Sequence, residues 1–244
     1  SSKDKEDIIF GISEDIDFIA AYFIRKAADV MEIRALLRAY NGDNIKIISK
    51  IESQEGVDNI DEIIDVSDGI MVARGDLGVE IAPELIQPTQ KKIIQKCNLA
   101  EIPVITATQM LDSMIKNPRP TRAEVSDVAN AVLDGTDAIM LSGETAAGAY
   151  PINAVKMMKK IAEVSEKPVD YEQVFRKLVD MREKSVTNAV SYATCSTAVY
   201  LGASAIVCAS FSGRTARMIS MFRPRVPIIA TTANEKAQRQ MQLL

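Results

Sequence analysis

Four short apolar runs in this 244-residue chain end on groups able to do chemistry. Lys50 and Glu52 close the run at 45–51, and Arg74 and Asp76 follow the run at 69–73. Thr106 and Thr108 close the run that begins at 103, and Ser142 and Glu144 follow 138–141. One polar residue after a strand is ordinary, because strands must end somewhere. Successive runs that end in ionisable or hydroxyl groups at like offsets point to one functional rim, of the kind built at the carboxyl ends of parallel strands. Glu52 and Asp76 are the candidate metal pair. Two carboxylates with open coordination suit Mg²⁺, which keeps waters and accepts phosphate oxygens from a substrate. Lys50, in an otherwise apolar run, supplies a fixed cation for a transferring phosphoryl group or a developing enolate oxygen. The plainer alternative is a set of solvated carboxylates paired with Lys50 and Arg74.

Gly75 and Gly78 let backbone N–H groups approach an anion, although turns use the same residues. Thr108 offers a hydroxyl that either relays a proton or caps a turn. The stretch Asn117-Pro118-Arg119-Pro120-Thr121-Arg122 reads as a rigid loop feeding an N-capped helix. A second candidate lies further on, where Ser210, Phe211, Ser212, Gly213, Arg214 and Thr215 separate an apolar run from a helical one. Hydroxyls, a glycine and an arginine before a helix suit a phosphate, and they equally suit an ordinary capped turn.

Composition narrows the chemistry. The chain has no histidine, which removes Ser-His and Cys-His nucleophiles and histidine metal sites, leaving Lys, Asp, Glu, Thr and Ser. Hydrophobic residues at 47% and charged ones at 25% are those of a soluble globular protein. A net charge of -4 gives no footing for general nucleic-acid or anionic-membrane binding. No apolar run approaches the ~20 residues that span a bilayer, and no secretory pattern opens the chain. Three cysteines, Cys97, Cys195 and Cys208, fit neither a disulfide framework nor a zinc site, so a reducing, cytoplasmic setting is expected.

The elements that must position these groups alternate. Expected strands at 18–24, 45–51, 69–73, 103–106 and 138–141 each precede a helix, at 26–40, 56–66, 88–100, 121–133 and 151–165, with a further helix at 4–16 ahead of them. Short apolar strands alternating with helices mean βα units and a parallel sheet. Five strands are fewer than the eight of a closed barrel. Residues 171–184 read as a charged connecting helix. A second α/β segment follows, with helices at 186–201, 215–222 and 235–244 and strands at 205–209 and 227–231.

Ile48-Ser49-Lys50-Ile51-Glu52, Met71 to Gly78, Ile105 to Leu111, Asn117 to Glu124 and Met140 to Thr145 together resemble the pyruvate kinase family, of bacterial type, in order over nearly the whole chain. The resemblance implies an α/β fold: strands 4 to 8 of a (β/α)₈ TIM barrel, then part of an α/β C-terminal regulatory domain. It implies domains at 1–165 and 185–244 joined by a connecting helix at 166–184. It implies phosphoryl transfer from phosphoenolpyruvate to ADP, giving pyruvate and ATP in glycolysis. Glu52 and Asp76 would hold Mg²⁺ or Mn²⁺. Lys50 would stabilise the phosphoryl and the enolate. The Gly75 and Asp76 N–H groups, with Thr108, would hold the carboxylate, and Thr108, Ser142 and Glu144 would flank the protonated face of the enolate. Ser210, Ser212, Gly213, Arg214 and Thr215 would hold the phosphate of a sugar-phosphate activator. A homo-oligomer, commonly a tetramer, is implied, with no nucleic-acid or membrane partner.

The family's first barrel strands, its lid domain, its K⁺ ligands and the rest of the activator site find no counterpart in these residues. The 244-residue chain assayed by itself is therefore expected to lack kinase activity, and turnover of phosphoenolpyruvate with ADP by it would overturn that. Tyr22 stands where the family usually has serine. Two other readings stay open: a Mg²⁺-dependent lyase of pyruvate-type substrates, and a non-catalytic structural piece.

Overall fold

The computed structural model describes residues 2–181 and 184–244. It divides into two compact units, Ser1–Pro168 and Val169–Leu244. The first begins with α1 (Ser2–Ser13), β1 (Phe18–Ala21), α2 (Ala27–Ala39) and β2 (Lys46–Ile51). Next come α3 (Gln54–Asp58), α4 (Ile60–Val66), β3 (Gly69–Ala73), α5 (Arg74–Glu80) and α6 (Pro83–Leu99). The unit ends with β4 (Val104–Ala107), a 3₁₀ turn (Asp112–Ile115), α7 (Arg122–Leu133), β5 (Ala138–Met140), α8 (Gly143–Ala146) and α9 (Pro151–Glu166).

All five strands are parallel and lie in chain order, β1-β2-β3-β4-β5. Side-chain parity divides the sheet into two faces. Ile47 and Ile51 of β2, Ile70 and Val72 of β3 and Val104 of β4 share one buried core with Ile60, Ile63 and Ile64 of α4 and Ile93, Ile94 and Cys97 of α6. Lys46, Ile48 and Lys50 take the other face. A second core joins Met110, Leu111 and Met114 to Val128, Ala131, Ala154, Met158 and Ile161.

Several boundaries differ from the sequence expectation, each for a local reason. The strand expected at 18–24 stops at Ala21, because Phe23 turns into the left-handed region (φ 53°). The helix expected at 56–66 is two helices meeting at Asn59; α3 starts earlier because the Ser53 hydroxyl accepts the Gly56 N–H. The helix expected at 88–100 starts at Pro83 and carries Pro88 inside it. Pro83 sits in the first turn, where a missing N–H is no loss, and Pro88 forfeits only its bond to the Glu84 carbonyl. The short helix α5, directly after β3, was not expected at all.

The second unit holds α10 (Tyr171–Met181), α11 (Val186–Tyr200), β6 (Ile206–Ala209), α12 (Arg214–Ser220), β7 (Ile228–Thr231), α13 (Glu235–Gln240) and a 3₁₀ turn (Met241–Leu243). β6 and β7 are parallel partners. Their core gathers Cys195, Ala198, Ile206, Cys208, Ala216, Ile219 and Phe222, with Phe175 and Val179 of α10 packed against it. The segment read as a connecting helix thus adds side chains to the core of the second unit, and positions 182 and 183 of that expectation lie outside the described residues. The last helix gives way to the 3₁₀ turn after Gln240.

Candidate active site

Lys50 and Glu52 lie two apart at the end of β2 and so project to the same side. The Lys50 ammonium meets Glu52 Oε1 at 2.6 Å. Glu52 is 3% exposed, and its Oε2 accepts the Phe23 N–H at 2.7 Å. A buried carboxylate held by an ammonium and a backbone amide is fixed in place rather than solvated. The turn that aims this amide is the same left-handed Phe23 that ends β1. Gly56 keeps the approach open: a Cβ there would lie 2.8 Å from the Ile24 carbonyl oxygen.

Register places the end of β3 beside the end of β2, with Ile51 opposite Val72. Gly75 and Asp76 follow in the first turn of α5. Asp76 is exposed, and its carboxylate makes no hydrogen bond or ion pair among the described residues. The Gly75 N–H donates to Thr108 Oγ1 at 2.7 Å, and that hydroxyl donates to the Ala107 carbonyl at 2.6 Å. Thr108 and Gln109 both take left-handed backbone, with φ of 68° and 53°.

Two residues expected on the rim are elsewhere. Thr106 is fully buried, on the helix-facing side of β4 that it shares with Val104, 3.0 Å from the Thr136 hydroxyl. Arg74 is 3% exposed and turned inward. Its Nη2 donates to the Thr108 carbonyl (2.8 Å) and the Gln109 carbonyl (3.2 Å), and its Nη1 donates to Asp127 Oδ2 (2.6 Å). Glu144 is also buried. It accepts the Leu111 N–H at 3.0 Å and the Ser142 N–H at 2.8 Å, so both its oxygens hold backbone.

In the second unit the loop after β6 is ordered by Ser210, whose Oγ accepts the Thr215 N–H at 3.3 Å. Gly213 has φ 78°, and a Cβ there would lie 2.8 Å from Met241 Cγ. Ser212, Arg214 and Thr215 are exposed at the head of α12.

Comparison with known proteins settles the family. The pyruvate kinase barrel domain matches residues 1–155, and the pyruvate kinase alpha/beta domain matches residues 188–244. The chain belongs to the pyruvate kinase family. Relatives named pyruvate kinase include one from Sporosarcina psychrophila, 58% identical over 244 residues, all of this chain and 42% of the relative. One from Clostridium acetobutylicum is 55% identical over 243 residues, all of this chain and 51% of the relative. One from Geobacillus stearothermophilus is 53% identical over 244 residues, covering 42% of the relative. The chain spans about half the length of these relatives.

Within this chain, hydrogen bonds join the ends of neighbouring strands: Phe23 after β1 to Glu52 after β2, Gly75 after β3 to Thr108 after β4, and Leu111 beyond β4 to Glu144 after β5. Sequence reasoning missed Phe23 and Asp127. Phe23 contributes only its backbone N–H, which leaves no trace in residue type. Asp127 sits mid-helix, 53 positions from Arg74, and only the fold pairs them. Among the described residues no three His, Cys, Asp or Glu side chains cluster as a metal site, and no helix is long and apolar enough to cross a membrane.

Proposed function

We propose that the protein carrying this chain transfers a phosphoryl group from phosphoenolpyruvate to ADP, giving pyruvate and ATP, in the cytoplasm as a homo-oligomer. The observation that carries this reading is the Lys50–Glu52 pair, its carboxylate buried, at the end of β2, with the exposed Asp76 following the adjacent strand β3. The donor chemistry fits a hard divalent cation, Mg²⁺ or Mn²⁺. Both groups are oxygen donors, one fixed in place and one free of partners among the described residues, and two protein carboxylates leave positions for substrate oxygens. Glu52 and Asp76 would hold the ion, which when bound supplies neutralising charge to phosphoryl and enolate oxygens. The K⁺ of this reaction would be held by residues other than these.

Lys50 would neutralise charge on a transferring phosphoryl group and on the enolate left behind. Its pairing with Glu52 keeps it aimed while it waits. Gly75, Asp76 and Thr108 receive the substrate carboxylate, the substrate taking the Gly75 N–H that otherwise donates to Thr108. Thr108 and Ser142 flank the enolate face that gains a proton through water. Glu144 acts through them, by holding the Ser142 and Leu111 amides. The loop of Ser210, Ser212, Gly213, Arg214 and Thr215 takes the phosphate of a sugar-phosphate activator.

Oxalate, which mimics the pyruvate enolate, tests the reading by calorimetry on the protein that carries this chain. Binding is expected to require Mg²⁺ and to weaken at least about tenfold in Glu52→Gln, a loss of ~1.4 kcal/mol or more. Metal-independent binding, or equal binding by the variant, would sink it. Sedimentation showing only monomer would remove the oligomer from the proposal, and fractionation showing the protein secreted would remove the cytoplasm.

A further inference from the structure

Arg74 is a buried cation that the reaction outlined above does not use. Its contacts converge on one segment. Nε and Nη2 reach the Thr108 carbonyl at 3.2 and 2.8 Å, Nη2 also reaches the Gln109 carbonyl at 3.2 Å, and the Met110 sulfur lies against the same nitrogen. From the other side, buried Glu144 accepts the N–H of Leu111, the next residue along. A cation thus holds two carbonyls and a carboxylate holds the following free amide, so the segment 108–111 is gripped at both polarities of its backbone.

That grip coincides with strain. Thr108 (φ 68°) and Gln109 (φ 53°) are consecutive left-handed residues, and neither is glycine. For a β-branched threonine this region is an outlier that persists only where the surroundings over-determine it. The conformation sets the Thr108 hydroxyl between the Ala107 carbonyl, 2.6 Å away, and the Gly75 N–H, 2.7 Å away. Gly75 leaves little slack, since a Cβ there would lie 3.3 Å from Thr108 Oγ1. Asp127 at 2.6 Å and Gln90 at 3.4 Å hold the guanidinium from behind.

We propose that Arg74 is a positioning residue for the reaction: anchored on Asp127, it holds Thr108 and Gln109 in left-handed backbone and thereby fixes the Thr108 hydroxyl against Gly75. This rests on the reading of Thr108 as a substrate-contacting group. Lysine cannot replace it, because one ammonium does not span two carbonyls and a carboxylate as a planar fork does. Without the grip the segment relaxes toward negative φ and carries the hydroxyl away.

The test uses the protein that carries this chain. Arg74→Lys is expected to lower kcat about 10- to 100-fold, with KM for phosphoenolpyruvate changed far less than kcat. Adding Gln109→Gly, which adopts positive φ without steric cost, should recover kcat by about threefold or more, a rescue that a packing role for Arg74 would not produce. Should Arg74→Lys fail to fold, Asp127→Asn keeps the acceptor but loses the charge; a kcat loss again recovered by Gln109→Gly supports the proposal. Full kcat in the variant that folds, or a loss that Gln109→Gly does not recover, would overturn it. Thr108→Val separates the levels. If that variant keeps full kcat, the reading of Thr108 and this proposal fall together; if it loses activity while Arg74→Lys does not, only the positioning role falls.

Discussion

Asp68, between α4 and β3, shows how one carboxylate sets up strand pairing. Its Oδ2 accepts from Arg34 Nη2 (2.9 Å) and the Ile47 N–H (3.0 Å), and its Oδ1 accepts from the Lys46 ammonium (3.0 Å). Burial pushes its pKa up, but the Ile47 amide, Lys46 and Arg34 outweigh that and hold the carboxyl below the usual aspartate range. A carboxylate with a depressed folded pKa contributes stability that is complete above the unfolded value and is lost as pH falls through the folded one. Asp68→Asn should therefore lower stability by about 1–3 kcal/mol at neutral pH, and the gap to the parent should narrow below about pH 4. Denaturant melts from pH 7 to pH 3 would show this; a gap that widens with acid would refute it. Glu52 and Arg74 follow the same logic of a buried charge held by backbone, with different jobs. Glu52 holds the turn that follows β1, and Arg74 closes on Thr108.

At the scale of elements, α7 is started by reciprocal bonds. Thr121 Oγ1 accepts the Glu124 N–H at 3.2 Å, and Glu124 Oε2 accepts the Thr121 N–H at 2.7 Å. Glu124 also takes the Ser113 N–H and hydroxyl, both at 2.6 Å, which ties the 3₁₀ turn to the helix. Thr121→Ala should cost ~1 kcal/mol in a thermal or denaturant melt, as lost N-caps do, and an unchanged midpoint would count against the cap. This helix was legible in the sequence because Thr-x-x-Glu after Pro120 is a start signal that acts over one turn. Gly69 to Ala73 was legible because a wholly buried parallel strand reads as an unbroken apolar run. What the sequence hid depends on distant partners. The inward turn of Arg74 needs Thr108 and Asp127, the burial of Thr106 needs Thr136, and the early start of α6 turns on which of two prolines sits in the first turn. Offsets from strand ends pick out Lys50, Glu52, Asp76 and Thr108 as neighbours on a rim, but they carry nothing about which side chains are consumed by backbone.

For the whole molecule, the two units hold separate cores and the proposed roles divide between them. If the loop at 210–215 takes an activator's phosphate, its exposed arginine reads that charge while the catalytic groups lie in the other unit. Arg214→Gln is then expected to abolish stimulation by sugar phosphates and to leave basal kcat unchanged. Steady-state kinetics with and without fructose 1,6-bisphosphate, glucose 6-phosphate and ribose 5-phosphate would test it. Stimulation that survives in the variant would move the activator elsewhere, as would a parent that responds to none of the three.

In the five-stranded sheet, β2, β3, β4 and β5 each pair with the strand made just before them. Such a sheet needs few long chain closures and lends itself to assembly in the order of synthesis, N-terminal end first. On the ribosome, the Phe23–Glu52 bond and the Lys50 pair can form while the residues of β4 are still unmade. Thr108 and its neighbours would then be drawn onto an edge that already carries its carboxylate and its cation.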